Sequence, residues 1–180
     1  MKLIEKFNEK KFGTLFFSKT LLLIVLAFSL TLSGCVTLSH QGEVSRAKSE
    51  GNPILIVRAL TNPPNSVGGI DVGIQFFNLT DEPLKYVIFE VTPFNAVGDI
   101  VASEISQKTT EIIKVTGPIE PVGGVSRGLN IWRAVWYNYS IRCFVVDRVT
   151  IITMEDSEKT LRGSEVNSLF SKSLTNKCSS

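Results

Sequence analysis

The chain has one histidine, two methionines and three cysteines in 180 residues. The histidine, His40, sits in a polar stretch ahead of the β-rich part of the chain. A Ser/His or Cys/His nucleophile pair is therefore not available within the domain that follows. No His or Cys cluster is present, and no run of acids at alternate positions resembles a Ca²⁺ loop, so no metal and no cofactor are expected. The acidic pair Glu155-Asp156 falls in a turn, where both carboxylates are expected to be solvated. Gly68-Gly69 and Gly123-Gly124 read as turn glycines, because no clear helix follows either pair to cradle a phosphate. An excess of positive charge is missing as well. Residues 1–34 hold five Lys and two Glu, which leaves 14 basic and 15 acidic residues in the remainder. That nearly neutral remainder carries no electrostatic footprint for nucleic acid.

A hydrophobic run long enough to span a bilayer is also missing. Residues 21–32 (LLLIVLAFSLTL) are apolar apart from Ser29 and Thr31. As a helix they reach roughly 18 Å at about 1.5 Å per residue, against a hydrocarbon core about 30 Å thick. A twenty-residue span ending at Leu32 would include Lys19. The run has the size of a signal-peptide apolar core, with basic residues before it and small residues after it. It ends Leu32-Ser33-Gly34-Cys35, which resembles the lipobox of bacterial lipoproteins. The resemblance implies cleavage between Gly34 and Cys35 and a lipid thioether, with palmitate or a similar acyl chain, at Cys35. Two acyl chains give stable membrane anchoring, since each buried CH₂ contributes about 0.8 kcal/mol. By the same resemblance Val36, not Asp, after the cysteine implies the periplasmic face of the outer membrane in a two-membrane organism.

The rest divides by texture. Residues 35–52 are polar without a sustained period and read as a lipidated tether, His40 included as a solvated linker residue. From residue 53 short β-rich runs alternate with turn signals. Residues 70–78 (IDVGIQFFN) alternate cleanly, and 84–92 (LKYVIFEVT) are apolar on both faces, which predicts a central strand covered twice. Residues 95–99 (NAVGD) read as a turn leading to Ile100-Val101, 110–116 as a strand and 117–124 as a loop. Residues 139–154 form the longest strand-like region, with a bulge expected near Asp147-Arg148. Residues 163–180 are Ser-rich and read as a loose tail. About seven short strands over 53–162, with no convincing amphipathic helix, predict an all-β, antiparallel β-sandwich.

The run 71–87 (DVGIQFFNLTDEPLKYV) resembles a strand, corner and strand of bacterial immunoglobulin-like modules. Residues 91–101 (VTPFNAVGDIV) are similar to the strand–turn–strand of FxLYD-type domains, and 116–121 and 132–138 resemble further segments of such modules. The resemblance covers 53–162. It implies an immunoglobulin-like, extracytoplasmic accessory module, and it implies no catalytic residues.

Two groups of residues stay open. Cys143 and Cys178 either form a disulfide across 34 intervening residues or remain a buried thiol and a tail thiol. Trp132, Trp136, Tyr137 and Tyr139 form either an exposed aromatic patch for a partner or a plug over one end of the core. The spacing of the two tryptophans fits a helical turn or an irregular covering loop. Asn78-Leu79-Thr80 and Asn138-Tyr139-Ser140 match the N-glycosylation pattern and are discounted for a bacterial lipoprotein. The expected function is a non-enzymatic envelope lipoprotein, held to the membrane through Cys35, whose sandwich binds an envelope protein. Alternatives are a permanent accessory subunit of an envelope assembly and a small glycan-directed enzyme.

Overall fold

The computed structural model describes residues 40–122 and 128–178. The apolar run, the cleavage site, Cys35 and residues 36–39 of the tether lie outside them. Gly42–Ser180 cluster as one compact unit. It is an all-β sandwich of two antiparallel sheets. Strands β1 (Ile54–Thr61), β2 (Gly69–Asn78) and β5 (Asn130–Tyr137) form one sheet, in the order β1-β2-β5. Strands β3 (Leu84–Asn95), β4 (Glu111–Ile119), β6 (Ile141–Thr153) and β7 (Glu158–Arg162) form the other, in the order β4-β3-β6-β7. Among the described residues two short helices flank them, α1 (Gln41–Ser49) and α2 (Ser164–Ser168).

The core follows from the period of two. In β2 the alternation sends Ile70, Val72, Ile74 and Phe76 inward, against Val87, Phe89 and Val91 of β3. Phe76 and Phe89 meet edge to face with ring centroids 5.5 Å apart. Bulges keep the pattern in phase. Glu90 pairs with Arg148 while Val91 pairs with Val146, so the extra residue of β6 is at Asp147, and Val146 and Val149 both face the core. A second irregularity between Leu84 and Tyr86 lets Leu84 join the core with Val87.

Several expectations need correction. Among the described residues no further layer covers the second apolar face of β3. Tyr86 and Ile88 sit half-buried on the outer face of the sheet, where the Lys114 ammonium lies 4.6 Å from the Tyr86 ring centroid. β4 continues through Gly117-Pro118-Ile119, which was expected to be loop. Glycine permits that path, because a Cβ at Gly117 would lie 2.2 Å from the Leu84 carbonyl oxygen. Trp132 and Trp136 lie in strand β5, not in a helical turn. Four residues separate them, yet their partners Val72 and Ile70 are only two apart. The surplus is taken up at Ala134, whose φ is 50° and whose N–H donates to Asp71 Oδ1.

The tether expectation also changes within 41–49. Here α1 forms, with Glu43 in its first turn, Arg46 and Lys48 in its last, and an Arg46–Glu50 ion pair at 2.6 Å. Gly51, at φ 76°, ends it. Ala47 buries against Leu55 and Leu79, so α1 covers part of the outer face of β1 and β2. Residues 163–178 are not a loose tail. Val166, Leu169 and Phe170 enter the core, and Phe170 bridges Ile56 in parallel, with Ile56 N–H donating to Leu169 O and Ser171 N–H to Ile56 O. Apolar side chains every three to four residues through a Ser-rich stretch made this packing hard to see.

Candidate functional site

Antiparallel pairing fixes which loops meet. The end of the sandwich near α1 holds the start of β1, the end of β2 and the start of β3. The opposite end gathers loops 62–68, 96–110 and 138–140. At the helix end Asn78 is buried, and its amide donates to the carbonyls of Glu82 at 2.8 Å and Ile119 at 2.9 Å. Its Oδ1 accepts from the Thr80 N–H and hydroxyl. At the loop end Asn138 repeats the arrangement, accepting from Ser140 twice and donating to Ala102 O. Both Asn-x-Ser/Thr matches are thus corners in which the hydroxyl two residues on locks the asparagine oxygen.

The aromatic segment is split by this geometry. Trp136 is wholly buried beside Phe144, with ring centroids 6.4 Å apart, and presents no surface to a partner. Its Nε1 has no hydrogen-bond partner among the described residues. Trp132 packs against the core, and its indole N–H donates to Lys114 O at 3.2 Å. Tyr137 is half-buried, and its backbone N–H donates to the Ser103 hydroxyl. Only Tyr139 is outward, with 54% of its surface exposed and its hydroxyl donating to Ser66 O at 2.9 Å.

Tyr139 therefore belongs to the loop end. Its ring lies against Gly68, where an added Cβ would come within 3.1 Å of the ring. Glu104 N–H donates to Tyr137 O, tying the β3–β4 loop to the same end. The other two loops display aliphatic side chains: Val67 is 68% exposed on one, and Ile105 is 71% exposed on the other, with Val97 and Ile100 also exposed there. Among the described residues, five of the eight large hydrophobic side chains most open to solvent lie on these three loops. Val67 and Ile105 are not legible as site residues in the sequence, because a lone aliphatic in a turn-rich loop has no period. The available signal was an apolar residue at the tip of a Pro/Asn/Gly loop, where a polar one is usual.

Cys143 of β6 and Cys178 are joined by a disulfide. Beside it is a cavity of about 310 Å³, lined by Ala59 and Leu60 of β1, Arg142 and Phe144 of β6, and Phe170 and Lys177 of the tail segment. Lys85 pairs with Asp156 at the helix end. This hydrogen bond, opposed by partial desolvation, holds the Lys85 ammonium above its usual pKa. Among the described residues no group of three or more His, Cys, Asp or Glu side chains is gathered to hold a metal ion. No helix among them is long and apolar enough to cross a membrane. Comparison of the chain with family models, curated proteins and solved structures found no match.

Proposed function

We propose that the protein is an exported lipoprotein, anchored through lipid on Cys35, whose sandwich is a non-catalytic module that binds another envelope protein. The observation that carries this reading is the opposition of its two ends. α1 follows Cys35 closely in sequence and packs at one end of the sandwich, while the exposed aliphatics and Tyr139 crowd the loops at the other. In an anchored module of this kind the apolar loops lie at the end of the sandwich opposite α1. The Cys143–Cys178 disulfide supports an oxidising compartment, as export requires. Val36 after the cysteine supports the outer membrane in a two-membrane cell.

The test is metabolic labelling with a fatty acid. The wild-type chain is expected to take up label and to lose its leader. Cys35→Ala is expected to remain unlabelled and unprocessed. Labelling that persists in Cys35→Ala overturns the anchor.

A further inference from the structure

Two loops at the loop end, one from each sheet, are built to one plan. Asn65-Ser66-Val67-Gly68 follows β1 and Asn95-Ala96-Val97-Gly98 closes β3, so both read Asn-x-Val-Gly. Asn65 N–H donates to Gly69 O and Gly68 N–H to Asn65 O, and Asn95 N–H donates to Asp99 O and Gly98 N–H to Asn95 O. Asn65 Oδ1 accepts from the N–H groups of Val67 at 3.0 Å and Gly69 at 2.8 Å. Asn95 Oδ1 accepts likewise from Val97 at 3.0 Å and Asp99 at 2.9 Å. Gly68 and Gly98 stand at φ 80° and 89°, which glycine adopts without strain. Each valine is thereby fixed at a tip with its side chain in water, and Val97 is 76% exposed. A polar residue is usual at such a tip, whereas a β-branched one has few rotamers to lose on contact. A third turn, closed by Gln107 N–H on Ser103 O, lifts Ile105 in the same way. It is stitched to the β5–β6 corner by Glu104 N–H on Tyr137 O and by the Asn138 amide on Ala102 O. These apolar tips are therefore in place before any partner arrives, which spares the ordering cost of binding.

Charge chooses the occupant. Residues 62–68, 96–107 and 138–140 hold no Lys or Arg. Asp99 and Glu104 are exposed there, and their carboxylates have no hydrogen-bond or ion-pair partner among the described residues. The nearest cations in sequence are turned to partners of their own. The Lys108 ammonium lies 4.0 Å from the Glu111 carboxylate, and the Arg142 guanidinium donates to the carbonyls of Tyr139 and Ile141. An apolar surface edged with free carboxylates repels an anionic bilayer, and it repels the same surface of a second copy. We propose that the loop end receives an apolar segment of a partner protein edged with Lys or Arg. The aliphatic side chains of that segment meet Val67, Val97 and Ile105, and its cations meet Asp99 and Glu104. The inference rests on the reading of the sandwich as a protein-binding module, names its surface and partner class, and does not depend on the lipid anchor.

The probes are the fluorescein-labelled peptide LKKLLKLLKKLLKL and its counterpart with Glu in place of every Lys. Each is titrated by fluorescence anisotropy onto the full chain in phosphatidylcholine nanodiscs, with empty nanodiscs as the blank. The Lys peptide is expected to bind about tenfold more tightly than the Glu peptide. Val67→Ser combined with Val97→Ser is expected to weaken its binding about tenfold. Asp99→Lys combined with Glu104→Lys is expected to reverse the preference between the two peptides. All four side chains are exposed, so an unchanged melting temperature serves as the folding control.

Equal binding of the two peptides, or a preference unmoved by the charge reversals, overturns the charge argument. Binding that the two serines leave intact overturns the surface. Flotation of the chain's nanodiscs with phosphatidylglycerol vesicles, abolished by the two serines, overturns the proposal in favour of a lipid surface. Self-association abolished by them does so in favour of a second copy. If neither peptide binds while a copurifying protein is lost from the two-serine variant, the partner class falls and the binding reading stands. Failure of fatty-acid labelling concerns the anchor alone and leaves these titrations intact.

Discussion

At the residue scale, side chains with no exposed surface govern the fold. Trp136 fills the core beside Phe144, yet its indole N–H is buried without a partner among the described residues. Such an orphan costs about 1–3 kcal/mol. Trp136→Ala is expected to lower stability by about 3–5 kcal/mol through the cavity it leaves. Trp136→Phe should cost much less, because it removes the unpaired donor while keeping a ring. Urea unfolding of the two variants checks the order, and an equal loss in both would contradict it. Asn78 is the reverse case, since its side chain makes four hydrogen bonds at a buried corner. Asn78→Ala takes the partner from the Ile119 carbonyl and the Thr80 N–H, while the Thr80 hydroxyl still donates to the Glu82 carbonyl, with an expected loss of about 1–3 kcal/mol. Asn138→Ala, at a more open corner, should lose less in the same unfolding assay.

At the element scale, the disulfide and the tail act together on β1 and β6. A cross-link closing a loop of this length contributes about 2–4 kcal/mol, by restricting the unfolded chain. Cys178→Ser is expected to lose that amount and to free residues near 176 from β6. Hydrogen exchange at Val146, whose N–H is held by Asn176, reads the second effect. Protection at Val146 unchanged by the substitution would show that Asn176 stays docked without the bridge. The strands themselves were legible where period two was clean, as in β2, and the slip at Asp147 announced its bulge. β5 was not legible. The surplus residues around Ala134 broke its alternation, and the tryptophan spacing imitated a helical turn. α1 was missed because only Val44 and Ala47 of its nine residues are apolar and packed, and its stability rests on end charges and the docking of Ala47. The Gly117 crossing was read as loop from its composition, since no sequence pattern reports a close approach to the Leu84 carbonyl.

At the scale of the whole molecule, the sandwich has two unlike ends, and the candidate binding residues were only half legible. Tyr139 was singled out from the sequence, whereas Val67 and Ile105 become visible only when antiparallel pairing brings their loops together. Ile105→Ser and Tyr139→Ala change exposed side chains, so each is expected to shift stability by no more than about 0.5 kcal/mol. The double variant should nonetheless lose whatever protein copurifies with the wild-type chain from detergent-solubilised membranes. Retention of that protein at wild-type yield would remove the loop end as the contact surface.

The parallel seat of Leu169–Ser171 on Ile56 has a further consequence, for the order in which the molecule can be completed. In chain order β1 comes before every other strand and this segment after all of them. The first strand therefore waits, one edge bare, until the chain is present through Ser171. A chain stopped before Leu169 would not be a slightly trimmed protein. It would keep a sticky first strand for its entire lifetime, open to pairing with any neighbour.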